Sequence, residues 1–232
     1  LASLPRVNVP ARAQSTSLRY RAQALRWSGH YNQALKISRL CYQLCSSVGL
    51  GEEMSLLALQ TGFLCLDLCR VEEAREWFAE CTAHSATALT HERRVALAQL
   101  HARILLASGD YRGAAEILLP LRSEILHDPL ARRRCAGAAS LAVALSDSSE
   151  RDDCLALVAI AKSVLEAETP SLQLDFPCEA IARALIAHGL AEESRTIMLS
   201  YLERRDKFFP RELAPAFTLL REAATDAKPL RS

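Results

Sequence analysis

Apolar residues recur along most of the chain at the three- and four-residue spacing of amphipathic helices, and polar breaks separate the apolar stretches. No run alternates with the period of two that a half-buried strand needs, and β-branched residues are scarce. The pattern predicts paired helices. The first members cover 15–28, 53–68, 92–108, 130–146 and 176–188. The second members cover 32–46, 72–86, 112–126, 152–167 and 192–206. A last helix is expected near 211–224.

The stretch SGDYRGAAEIL at 108–118 is a turn followed by a helix start, and it recurs. Its counterparts are SGHYNQALKIS, LCRVEEAREWF, SERDDCLALVA and HGLAEESRTIM. The small residue opening the second helix stands at Ala34, Ala74, Ala114, Cys154 and Ser194, 40 residues apart each time. Ala22, Gly62, Ala102, Ala142 and Ala182 keep the same period in the first helices. Three residues further on come Leu25, Cys65, Leu105, Leu145 and Leu185. Small residues let two helices approach closely and the larger apolar neighbour fills the seam. A fixed period of 20–50 residues marks a solenoid.

Prolines punctuate this frame. Pro129 and Pro177 suit helix starts, and Pro170 and Pro210 fall in connections. Pro120 lies inside a predicted helix, so a kink or break is expected in the third repeat. Residues 1–14, with Pro5 and Pro10, read as an extended segment. Residues 15–206 form the repeats, 207–225 a capping helix and 226–232 a tail. Solenoids need such a polar terminal cap.

The Gly-x-Tyr-x-x-Ala turn, the small residue of the first helix and large second-helix residues such as Phe78 and Leu118 resemble the tetratricopeptide (TPR) repeat family. The resemblance spans about 15–206 and is strongest in repeats one to three. Repeat four has Ser149 and Arg151 in place of Gly and Tyr, and repeat five has Ala191 in place of Tyr. The period exceeds the common 34 residues. Long-period TPRs resemble the sensor regions of MalT-type bacterial transcriptional regulators, the preferred comparison, and kinesin-light-chain adaptors. HEAT and armadillo repeats share the period but not the turn.

The resemblance implies an all-α, right-handed solenoid of five helix pairs with a capping helix. It also implies a concave groove lined by the first helices. Carried onto this sequence, the groove positions are Arg19, Gln23, Arg26, Leu56, Leu59, Phe63, Leu66, Gln99, Arg103 and Arg183, with Ala139, Val143 and Glu179 beside them. An apolar floor flanked by arginines suits a protein or peptide with acidic groups. Arg103→Glu is then expected to weaken the partner without unfolding the chain.

Composition narrows the alternatives. The chain has 232 residues, ample for a sizeable core, and Ala, Leu, Arg and Glu favour helix. A net charge of +1 speaks against direct nucleic-acid binding. Arg132, Arg133 and Arg134 read as a solvated helix face. No apolar run reaches the ~18–20 residues of a membrane span, and no secretory signal is present. The chain begins at Leu1, which suggests an excised or processed piece.

Among the eight cysteines, Cys41/Cys45 and Cys65/Cys69 are i, i+4 pairs that could form a four-thiolate zinc site in principle. The Cys-x₃-Cys spacing and the repeat register favour packing instead, in a reducing, cytoplasmic setting. The histidines lack metal spacing, and nucleotide, hydrolase and metalloprotease motifs are absent. Recurrent acid pairs at helix starts answer the helix dipole. The expectation is a non-catalytic recognition module without cofactor or metal, which could serve as the sensor or oligomerisation domain of a larger bacterial regulator. The rival is a small-molecule or thiol sensor.

Overall fold

A computed structural model describes residues 10–84, 90–147, 150–169 and 174–206. All the regular structure among these residues is helical. The chain runs through α1 (Ala11–Trp27), α2 (Tyr31–Ser47), α3 (Gly51–Asp67), α4 (Val71–Ala83), α5 (His91–Ala107), α6 (Tyr111–Leu118), α7 (Arg122–Leu126), α8 (Ala131–Ala144), α9 (Arg151–Ala167), α10 (Asp175–Ala187) and α11 (Ala191–Asp206). Helices α1, α3, α5, α8 and α10 are the first members of five pairs. Each packs on its own partner and on the pair before it, which makes an α-solenoid.

The turns within pairs explain the recurring glycine. Gly29, Gly109 and Gly189 hold φ of 84°, 81° and 77°, a left-handed backbone that costs glycine little. The following amide donates back to the carbonyl five residues earlier, as in His30 N to Leu25 O at 2.8 Å and Leu190 N to Leu185 O at 2.9 Å. This is the Schellman closure of a helix C-terminus. The column Leu25, Cys65, Leu105 and Leu185 therefore supplies both seam packing and the capping carbonyl. Cys69 takes the glycine place in repeat two at φ 57°, with Arg70 N donating to Cys65 O at 2.8 Å.

The small-residue columns are the contacts between paired helices. Ala34, Ala74, Ala114 and Cys154 are fully buried and Ser194 nearly so. In the degenerate repeats the substituted side chain bonds the opposing column. Cys154 Sγ donates to Ala142 O at 3.2 Å and Ser194 Oγ to Ala182 O at 3.1 Å. At Gly62 an added Cβ would lie 2.8 Å from Leu100 Cδ2, so the glycine accommodates the next first helix.

In four of the five repeats a further 40-residue column ties the start of the first helix to the end of its partner. Ser15 O accepts from Cys41 Sγ at 3.2 Å, Ser55 Oγ donates to Cys81 O at 3.3 Å, and Cys135 Sγ donates to Ala161 O at 3.4 Å. In repeat five the same places hold Asp175 and Tyr201.

The expected break at Pro120 is a 3₁₀ turn over Leu119–Leu121 between α6 and α7. The first helix begins earlier than expected. Pro10 stands at its N-cap with φ −49°, and residues 11–14, expected to be extended, are helical. The rest of that segment, the capping helix at 207–225 and the tail lie outside the described residues.

Two substitutions probe this packing. Ala114→Leu overfills a fully buried contact and should cost about 1–3 kcal/mol in urea unfolding, whereas Ala79→Leu on an exposed face of α4 should stay within about 0.5 kcal/mol. Cys69→Gly removes a left-handed strain of roughly 1–2 kcal/mol and adds unfolded-chain entropy of roughly 0.5–1 kcal/mol, for a net gain of about 1 kcal/mol or less in the same assay.

Candidate binding cavity inside the repeat curve

The repeats curve until non-adjacent ones face each other across a cavity of about 220 Å³. The register decides what lines it. Tyr31, Val71 and Tyr111 follow the turns of repeats one to three at equivalent places. Leu66 and Leu106 come from the ends of α3 and α5, and Arg103, Val143 and Arg183 share one column of the first helices. The opposite wall is the N-terminal half of α10, with Asp175, Phe176 and Glu179.

Charges here are paired across repeats. Asp67 accepts from Arg26 Nη2 at 2.6 Å and Nε at 2.8 Å, and its other oxygen accepts from Arg103 Nη2 at 3.3 Å. The Arg103 guanidinium carbon lies 3.7 Å from the Phe176 ring centroid and 5.4 Å from that of Phe63. Stacking on π faces offsets part of its desolvation. Burial still holds the guanidinium below its ordinary value, against the pull of Asp67.

On the far wall, Asp175 accepts from Arg205 Nε at 2.9 Å, Arg205 Nη2 at 3.0 Å and the Tyr201 hydroxyl at 2.9 Å. Burial nevertheless pushes its carboxyl up to about 6, with Asp67 adding to the effect. The Tyr31 hydroxyl is raised by burial and by the fields of Asp67 and Asp175. Glu179 Oε1 accepts from Arg183 Nη2 at 2.7 Å and Nε at 3.0 Å.

Of the expected groove residues, Leu66, Arg103 and Arg183 line this cavity, as do Val143 and Glu179. Phe63 lies beside Arg103, and Arg26 reaches Asp67 from α1. Arg19, Gln23, Leu56, Leu59 and Gln99 do not line it. Arg19 sits 5.1 Å from the Tyr20 ring, Leu59 is core, and Gln99 packs near Gly137. Ala139 is fully buried as well.

Arg103 is not free to meet an acidic partner as the groove reading supposes. Its side chain is 11% exposed and locked by Asp67, so Arg103→Glu would set two carboxylates together and disturb the fold itself. The groove reading also misses Asp67, Asp175, Tyr31 and Phe176. A signal existed, since Asp67 and Asp175 are lone acids inside apolar runs, LCLDLC and LQLDFP.

Other candidate chemistry is dispersed. Cys41 and Cys45 pack with Met54 and Leu57, while Cys65 belongs to the main core. Among the described residues no three His, Cys, Asp or Glu side chains converge as metal ligands. Arg132 pairs with Glu168 at 3.2 Å, Arg133 with Asp128 at 3.5 Å, and Arg134 donates to Asp128 O at 2.7 Å. No helix among the described residues is long and apolar enough to cross a membrane.

Neither a family model nor a curated protein matches the sequence. A solved structure does superpose on it, a kinesin-light-chain-type protein of nearly identical TPR-like repeats from Podospora anserina. The TM-score is 0.54 at 18% identity, over 89% of this chain and 100% of the other. The fold is therefore a TPR-like α-solenoid.

Asp175 gives a pH test. Its folded value of about 6 exceeds the ordinary 3.8, so the folded chain holds this proton more tightly. That contribution is present below about pH 4 and is lost as pH climbs to about 6. Asp175→Asn lacks it. The stability difference between wild type and variant should move against the wild type by on the order of 2–3 kcal/mol between pH 4 and 7. Urea unfolding at each pH checks this, and a constant difference would mean that Asp175 stays ionised throughout.

Proposed function

We propose that this chain is a non-catalytic module for protein or peptide recognition, and that the inner cavity takes one anchoring side chain of the partner. The carrying observation is the convergence of the repeats. Side chains from every repeat converge on one concave site with apolar walls and a few charged groups, the usual make-up of a binding pocket. A desolvated pocket filled by a single anchor is where binding energy concentrates.

Arg26 and Arg103 are already bound by Asp67, so an acidic partner would be met first by Arg183, whose side chain is 52% exposed. As the sensor or oligomerisation domain of a larger MalT-type bacterial regulator, the stack would relay occupancy through its curvature. A net charge of +1 and the internal pairing of Arg132–Arg134 support a module that does not grip nucleic acid directly. Cysteines without disulfides among the described residues support a cytoplasmic setting.

Size favours a second reading, a small-molecule sensor. At about 220 Å³ the cavity is smaller than the roughly 300–1,000 Å³ of drug-sized sites. Cys69, exposed and on the cavity wall, also permits a thiol-sensing variant.

Affinity capture with wild type, Arg183→Glu and Ala107→Trp tests the first reading. Ala107 is exposed and lines the cavity, so a tryptophan there obstructs it. A cavity-bound partner should be weakened at least about tenfold by Ala107→Trp, with helix content unchanged. A partner held equally by all three proteins would place the interface elsewhere on the solenoid.

A further inference from the structure

We propose that the cavity binds a free α-amino acid with an apolar side chain. This rests on the small-ligand reading and names its ligand class. The argument starts from hydrogen-bonding groups on the cavity wall that the described residues leave unused. Among the described residues the Tyr31 hydroxyl has no hydrogen-bond partner, although the residue is only 6% exposed. Arg103 donates through Nη2 to Asp67, while its enclosed Nε has no acceptor. Glu179, with a side chain 13% exposed, accepts from Arg183 through Oε1, and among the described residues no donor reaches Oε2. Buried polar groups are normally paired, and Arg103 Nε is not; with the accessible Tyr31 hydroxyl and Glu179 Oε2 on the same cavity wall, it points to a polar visitor.

The signs of the charges select its chemistry. A simple anion would meet Asp67, Asp175 and Glu179, and a simple cation would meet Arg103 and Arg183. A zwitterion suits both sets, with its carboxylate toward Arg183 and the Tyr31 hydroxyl and its ammonium toward Glu179. Leu66, Leu106, Val143 and Phe176 offer the apolar surface for a side chain. The volume lies between the roughly 150 Å³ cavity that holds benzene and the roughly 300 Å³ floor of drug-sized pockets. An amino acid between leucine and phenylalanine in size matches that interval.

The test is isothermal titration calorimetry of the whole chain with L-leucine, L-phenylalanine, 3-phenylpropionate and 2-phenylethylamine, each to about 10 mM, a range that detects millimolar binding. L-Leucine or L-phenylalanine should bind. Each half-molecule of phenylalanine lacks one charged contact and should bind at least about tenfold more weakly. Tyr31→Phe removes a hydroxyl with no partner among the described residues, so it should keep the melting temperature of the ligand-free chain and still lose about tenfold in affinity. Glu179→Gln should weaken the amino acid while leaving 3-phenylpropionate unaffected. No binding of either amino acid, equal binding of the half-molecules, or undiminished binding by Tyr31→Phe would each overturn the proposal. If the amino acids fail while another metabolite stabilises wild type but not Ala107→Trp, the ligand class is wrong and the small-ligand reading stands.

Discussion

The fold depends on how closely two helices approach at one point in every repeat. That point is set by the facing columns of small residues, Ala22 to Ala182 in the first helices and Ala34 to Ser194 in the second. With almost no side chain between them, the backbones can approach closely, and the larger residues on either side interlock. Repeat four lacks both the glycine and the tyrosine of the turn and repeat five lacks the tyrosine, yet both keep this spacing, because Cys154 and Ser194 are still small and bond the carbonyls of Ala142 and Ala182. The turn signature can therefore decay while the contact persists.

That spacing, repeated, generates curvature, and curvature generates the site. By repeat five the chain has come round far enough for Phe176 on α10 to stack on Arg103 of α5. The inner surface is accordingly a cavity walled by non-adjacent repeats, and Arg103 faces an acid from another repeat. Asp67 is bound by Arg26 of repeat one and Arg103 of repeat three. The Asp175 carboxylate is held by Arg205 and Tyr201 of its own pair and feels Asp67 across the gap.

This division explains what could be read from the sequence. Helix pairs, register and the break at Pro120 follow from patterns within one repeat length, and local sequence carries them. The membership of the cavity depends on a rotation accumulated over several repeats, which no local pattern records. Arg103, Leu66 and Arg183 were legible as inward-facing positions of the first helices. Arg19, Gln23 and Gln99 occupy equally inward columns, yet they stand outside the enclosure. The acids at 67 and 175 were legible only as anomalies, charges interrupting apolar runs. Their partners were not, since Arg26 and Arg205 lie 41 and 30 residues away.

Ion pairs are a poor source of stability, because desolvation offsets the attraction of buried ones and solvent screens exposed ones. Their placement here suggests another consequence. Arg26–Asp67, Arg122–Asp153 and Lys162–Glu193 each join neighbouring repeats and fix their relative rotation. Solenoids ordinarily hold together through such nearest-neighbour contacts alone, so their repeats can loosen independently. The stack of Phe63, Arg103 and Phe176 departs from that rule by linking repeats two, three and five. Loosening repeat five exposes a buried guanidinium in repeat three, so the ends of the curve are coupled through the cavity wall. An occupant of that cavity touches the residues that carry the coupling, and its binding free energy adds to the free energy that holds the curve closed.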